Sequence, residues 1–212
     1  AENCGGVVIA NPNAPTGRSV DLEDIRRVLE EHRDVVVLVD EAYVDFGGVS
    51  ADTLLKEYDN LVVVRTLSKS RALAGLRVGY ALGSPNLIAG LCCVRDSINS
   101  YTVDRLAQAG AVAALEDGPY FEEMRERVIR TRERTEERLR AMGFAVLESK
   151  ANFLFVSHPK RTGKALLDGL REQGILVRWF DRPRIGNYLR ISVGTDDEMD
   201  ALCAALKALT EG

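Results

Sequence analysis

Three short apolar runs, Val7 to Ala10, Val35 to Val39 and Leu61 to Arg65, constrain the fold of this chain more than any other feature. They are too short for ordinary helices and too continuously apolar for strands with one wet face, so they read as strands covered on both sides. A helix pattern from Leu22 to His32 separates the first two, with Asp21 or Ser19 placed to cap it. An amphipathic segment near Thr53 to Tyr58 precedes the third run, and a fourth strand is expected around Val78 to Leu82. This βαβ rhythm is that of an α/β protein, with a mostly parallel sheet and helices outside it.

From Pro85 onward the pattern turns helical, with helices predicted from Val103 to Leu115 and from Pro119 to Met142. The second of these carries the run EEMRERVIRTRERTEERLR. Interleaved charges of this kind make a solvated, salt-bridged helix face rather than a nucleic-acid patch. Beyond Gly143, strands are expected at Ala145 to Leu147, Phe153 to Val156, Ile175 to Val177 and Tyr188 to Ser192. Helices at Gly163 to Gln173 and Thr195 to Leu209 complete a small α+β domain with an antiparallel sheet. We therefore expect residues 1–118 to belong to a large domain and 119–212 to a small C-terminal one, bridged by the helix of 119–142.

Of the 212 residues 46% are hydrophobic, enough for a real core, and 28 basic residues against 32 acidic ones leave a net charge of −4. That balance gives no reason to expect nucleic acid or an anionic membrane as partner, and leaves a small metabolite open. No apolar run approaches the roughly 20 residues that span a bilayer, and no signal peptide is evident, so a cytoplasmic protein is expected. Cys4, Cys92, Cys93 and Cys203 lack metal-site spacing and are read as buried thiols, and His32 and His158 as surface or capping residues. The chain opens at Ala1 without Met and enters a strand within a few residues, which is the pattern expected of a piece of a longer protein.

The chemistry concentrates at strand ends. Asp40 directly follows Val35 to Val39, at the carboxyl edge where open α/β sheets bind ligands. A carboxylate there needs a cation, and a protonated pyridine nitrogen would serve. The next strand runs into Thr66-Leu67-Ser68-Lys69, placing a lysine on the same edge, where it can lose its proton and form a Schiff base with an aldehyde. Thr66 and Ser68 offer hydroxyls to a phosphate, and Arg77 a two-pronged guanidinium. Taken singly, each has an ordinary reading as a turn aspartate, a surface lysine or a turn.

Together, NPNAPTG at 11–17, DEAY at 40–43, TLSKS at 66–70 and GLRVG at 75–79 resemble, in order and spacing, the pyridoxal-phosphate enzymes of the aspartate-aminotransferase fold. The resemblance implies fold type I and a class-II aminotransferase. It makes Lys69 the Schiff-base lysine and proton carrier, Asp40 the partner of the pyridine nitrogen and Tyr43 that of the phenolate oxygen. Thr66, Ser68 and Arg77 would hold the phosphate. Ala14 departs from the family's pattern, which has Asn before Pro-Thr-Gly, so that Asn13 or a water must substitute or Tyr43 act with less help.

The C-terminal segments around Ser149 to Phe153, Gly174 to Arg178 and Asn187 to Thr195 are similar to histidinol-phosphate aminotransferases. That implies Arg190 as the grip on a substrate carboxylate or phosphate, with Arg178 as a second phosphate contact. It also implies glutamate and 2-oxoglutarate as the other substrate pair, no metal, and a homodimer. An N-terminal stretch with the ring-stacking aromatic and part of the phosphate loop is then expected to be missing. Related alternatives are a decarboxylase of a phosphorylated amino acid, an aromatic aminotransferase, and a non-catalytic module retaining the fold.

Overall fold

The structure, a computed structural model, describes residues 4–211. Contacts divide the chain into two compact units, one running to Asn13 and resuming over Ser19–Met124, the other made of Ala14–Arg18 and the residues from Arg125 onward.

The first unit contains β1 (Val7–Ala10), α1 (Leu22–Glu31), β2 (Val37–Asp40), β3 (Leu61–Thr66), β4 (Gly79–Gly83), α2 (Pro85–Ile98) and α3 (Arg105–Glu116). The sheet order is β1-β2-β3-β4, with the first three strands parallel and β4 antiparallel to β3. Register aligns Ala10, Asp40 and Val64 as neighbours, so β1 and β2 end level with each other while β3 runs on to Thr66. Val37, Val39, Leu61 and Val63 pack with Ile25 and Leu29 of α1 in one buried cluster. Ile25 and Leu29 lie one helical turn apart, and burying each fully contributes about 1.5–3 kcal/mol.

Three details differ from the sequence reading. The second strand begins at Val37 rather than Val35, because the amide of Val35 donates to His32 O and its carbonyl accepts from Asn60. The segment near Thr53 becomes a 3-10 turn, Ala51–Leu54, started by Ser50 accepting from the Asp52 amide. Cover on both faces holds for β2 and β3 but not β1, where Val8 is 74% exposed; α2 buries no side chain and α3 only Ala107.

The second unit receives the greater part of α4 (Gly118–Ala141), followed by β5 (Ala145–Leu147), β6 (Phe153–Ser157), α5 (Gly163–Glu172), β7 (Arg178–Trp179), β8 (Leu189–Ser192) and α6 (Asp196–Glu211). Its sheet, β5-β6-β8-β7, is antiparallel throughout. Leu154, Val156, Leu189 and Ile191 point from it into a core with Leu166 and Leu170 of α5 and Leu202 and Leu206 of α6. On α4 the buried positions are Thr131, Arg132, Thr135 and Leu139, while Arg130, Arg134 and Arg140 form ion pairs on its outside. The strand expected at Ile175 to Val177 falls instead at Arg178–Trp179, since the Ile175 amide is spent closing α5 on Leu170 O.

Two readings are corrected. Of the four cysteines only Cys203 is buried; Cys93 is exposed because α2 lies with no buried face. His158 is no surface residue: it is buried against Phe144, ring centroids 4.9 Å apart, and its Nδ1 accepts from the Lys160 amide. No helix among the described residues is long and apolar enough to cross a membrane.

Candidate active site

The parallel strands of the first unit deliver three loops to one sheet edge. Asp40 ends β2 half-buried; its Oδ1 accepts from the Ala42 amide at 3.0 Å, turning the chain, and its other oxygen has no partner among the described residues. Two residues on, Tyr43 starts a 3-10 turn, Val44–Phe46. Lys69, in the loop after β3, is exposed, and its Nζ lies 5.4 Å from the centre of the Tyr43 ring without a hydrogen bond among the described residues. An amine and a carboxylate oxygen left free on one sheet edge are groups available to a ligand.

The Lys69 loop is shaped by its own hydroxyls and backbone. Thr66 Oγ1 accepts from the Ser68 amide at 3.1 Å and reaches Val78 O at 3.4 Å, so this hydroxyl is engaged in forming the turn. Ser68 is half-buried beside it, with no hydroxyl partner among the described residues. Arg77 is exposed and donates to Ala74 O at 2.8 Å. Ala72 and Arg77 both hold left-handed backbone, φ 55° and 56°, which costs a non-glycine residue energy and marks a loop fixed by its surroundings. Gly79 is required where β4 meets β3, because a Cβ there would stand 2.8 Å from Arg65 O.

Sequence reasoning assigned no role to the residues that brace these loops. Glu41 has a fully buried carboxylate that accepts from the Ala51 amide at 2.6 Å, Ser50 Oγ at 2.8 Å and Arg65 Nε at 3.0 Å. Arg65 also reaches Ser50 and Asp52, at 2.5 and 2.7 Å. Burial opposes the Arg65 charge, but hydrogen bonding to Tyr80 and Glu41 prevails and keeps its pKa above the ordinary value. Ser70 donates to Asp45, joining the Tyr43 loop to the Lys69 loop. No local signal marks Glu41, whose partners are all distant in sequence.

Arg178 and Arg190 belong to the second unit, where they are cross-strand partners on β7 and β8. Their sheet has two unlike faces. Opposite the aliphatic core lies a face of Phe153, Phe155, Tyr188 and Arg190, with Phe155 and Tyr188 stacked at 4.7 Å. The Arg190 guanidinium lies 5.2 Å from the Phe153 ring and 5.9 Å from that of Phe180, which Arg178 also approaches, at 5.5 Å. Arg190 Nε is buried without a hydrogen-bond partner among the described residues. An orphaned buried donor on a cation is costly and is relieved by an anion. Among the described residues no cluster of His, Cys, Asp and Glu could hold a metal ion.

Comparison with known proteins accords with this arrangement. Residues 1–206 match the model of the family "Aminotransferase class I and II". The chain is 54% identical to a histidinol-phosphate aminotransferase of Clostridium acetobutylicum over 203 residues, covering 96% of this chain and 58% of that protein. A crystal structure of histidinol-phosphate aminotransferase from Sinorhizobium meliloti, in complex with pyridoxal-5'-phosphate, aligns with a TM-score of 0.89 at 30% identity, covering 99% of this chain and 58% of that one. A decarboxylase from Sulfurospirillum multivorans aligns with a TM-score of 0.86 at 28% identity, over 97% of this chain and 62% of that one. This chain thus spans little more than half the length of such relatives and has their fold-type I architecture, a mostly parallel sheet followed by a small α+β domain. The chain belongs to the aminotransferase class I and II family.

Proposed function

We propose that a protein of the relatives' full length carrying these residues is a pyridoxal-phosphate-dependent aminotransferase that exchanges an amino group between histidinol phosphate and 2-oxoglutarate. The observation that carries this reading is the Lys69 amine beside the Tyr43 ring, on the edge where Asp40 keeps one carboxylate oxygen free. Those groups fit the cofactor: an amine for its aldehyde, a carboxylate for its ring nitrogen, a phenol hydroxyl for its ring oxygen. When bound, pyridoxal phosphate supplies the electron sink for negative charge developing at the substrate α-carbon.

The chain's own residues do the rest. Asp40 keeps the ring nitrogen protonated, the Tyr43 hydroxyl bonds the ring oxygen, and Ser68 and Arg77 hold the phosphate, with Thr66 shaping the turn that presents Ser68. Lys69 would carry the proton between the substrate α-carbon and the cofactor carbon C4′. Arg190 grips the substrate anion with the donor it now leaves unpaired, and Arg178 adds a second cation. At position 14, Ala cannot contribute the amide of the family pattern, so the ring oxygen depends on Tyr43 and on Asn13 or a water. A homodimer, on the family resemblance, and a cytoplasmic location go with this reading.

The decarboxylase reading has in its favour a fold likeness to solved decarboxylases, among them the S. multivorans enzyme. The identity of over half to histidinol-phosphate aminotransferases outweighs it. Full-length protein incubated with histidinol phosphate and 2-oxoglutarate should form glutamate; release of CO2 without glutamate would refute the assignment. The chain itself, mixed with pyridoxal phosphate, should give a visible absorbance band that borohydride fixes on Lys69.

A further inference from the structure

We infer that Glu41 is a positioning residue, acting through a closed loop of residues 41–50 that sets Tyr43 against Lys69. The inference rests on Tyr43 and Lys69 being the reactive pair of the proposed function, and adds a residue to which no role has been given.

The loop is tied at both ends by one side chain. Glu41 leaves β2 with its amide on Val64 O at 2.8 Å, continuing the ladder. Its carboxylate then turns to the far end of the loop and accepts from Ser50 Oγ and the Ala51 amide. Between these ties Val44 and Phe46 are buried, 6% and 3% exposed. Gly47 supplies the reversal at φ 116°, and at Gly48 a Cβ would stand 3.3 Å from Pro12 in the loop after β1. Asp45 takes the Ser70 hydroxyl from the loop after β3. The loops after β1 and β3 therefore both meet this one, and Tyr43 rides on it.

A buried carboxylate is tolerable only with its charge matched, and Arg65 does this from within β3, one residue before Thr66. Glu41 follows Asp40 directly and Arg65 adjoins Thr66, so the pair clamps β2 and β3 at the point where both strands release their functional loops. Replacing the carboxylate by a carboxamide keeps its shape but removes the charge and one acceptor from a nook lined with donors. The loop then loses its closure, and Tyr43 its fixed place over the amine.

The test needs no cofactor. In the chain as it stands, lysines are acetylated with acetic anhydride at fixed pH, and the rate at Lys69 is read by mass spectrometry against exposed Lys160. Glu41→Gln should change that ratio by about threefold to tenfold, the range set by loss of one or two net hydrogen bonds, and speed amide exchange across residues 42–49. An unchanged ratio in a folded Glu41→Gln protein overturns the inference, whatever its melting temperature, since a merely structural role would leave the Lys69 rate where it was. If Glu41→Gln does not fold, Asp45→Ala removes the acceptor that ties the same loop to Ser70 without touching the buried carboxylate, and an unchanged ratio there also overturns it. Failure of the wild-type chain to take up pyridoxal phosphate would count against the proposed function and leave this reading standing.

Discussion

The two sheets of this chain carry their cations in opposite ways. In the mostly parallel sheet Lys69 and Arg77 stand exposed on the connection between β3 and β4, held by turns, hydroxyls and left-handed backbone. In the antiparallel sheet Arg190 sits within a strand, its guanidinium beside two phenyl rings and its Nε buried without a partner among the described residues. A loop cation stays solvated until a ligand arrives, so its cost is in ordering the loop. A strand cation is ordered already, so its cost is desolvation. The first arrangement suits a group that must move a proton, the second a fixed grip on an anion.

The largest expected effect tests the loop side. Lys69→Ala should abolish borohydride-fixed attachment of pyridoxal phosphate altogether, by absorbance and by intact mass, while the unfolding temperature stays near that of wild type because the side chain is exposed. Retention of the fixed adduct in Lys69→Ala would show that another lysine reacts and would break the assignment of this edge.

On the strand side stability is the first readout. Leu154 is fully buried beside Phe153 and Phe155, pointing into the core while they face the arginines. Leu154→Ala should cost about 2–5 kcal/mol by denaturant unfolding. A cost under about 1 kcal/mol would mean that this sheet is not held by the core beneath it.

Much of this division was legible in sequence because it is written in hydrophobic period. Continuous runs leading to Asp40 and Thr66 announced parallel strands with chemistry at their ends, and the order of short strands and helices after Gly143 announced a small α+β domain with an antiparallel sheet. The bracing was illegible. Nothing in DEAY says that Glu41 is buried, because its burial depends on Ser50, Ala51 and Arg65, residues 9, 10 and 24 positions away. His158 was misread for a like reason: its cover comes from Phe144, across the β5–β6 hairpin. The free Nε of Arg190 follows from cross-strand register and a ring from the segment after β7, neither of which a local pattern encodes.

Arg190 sharpens the comparison with a smaller effect of unusual sign. If its buried donor is kept for an anion, Arg190→Met should remove the desolvation penalty and leave the free chain within about 1 kcal/mol of wild-type stability, or above it. Stabilisation of the wild-type chain by added phosphate, read as a rise in melting temperature, should vanish in the variant. A variant that is strongly destabilised without any anion present would show that the arginine serves the fold instead.

The smallest effect separates the two units by their thiols. Burial, with Asp200 adding to it, raises the Cys203 pKa above its ordinary value, although Arg138 and Arg134 pull the other way. The thiolate is the reactive form, so at pH 8 Cys203 should react with iodoacetamide more slowly than exposed Cys93 of α2. Raising the pH should bring Cys203 up later than Cys93, because a raised pKa moves its deprotonation to higher pH. Its stability effect runs in the same sense: the contribution of the protonated thiol is fully present below the unfolded pKa and is lost as pH rises through the raised folded pKa. Equal rates for the two thiols across that range would mean that the core around α6 opens as freely as the uncovered surface of α2, and the contrast between a closed second unit and an open-faced first one would fail.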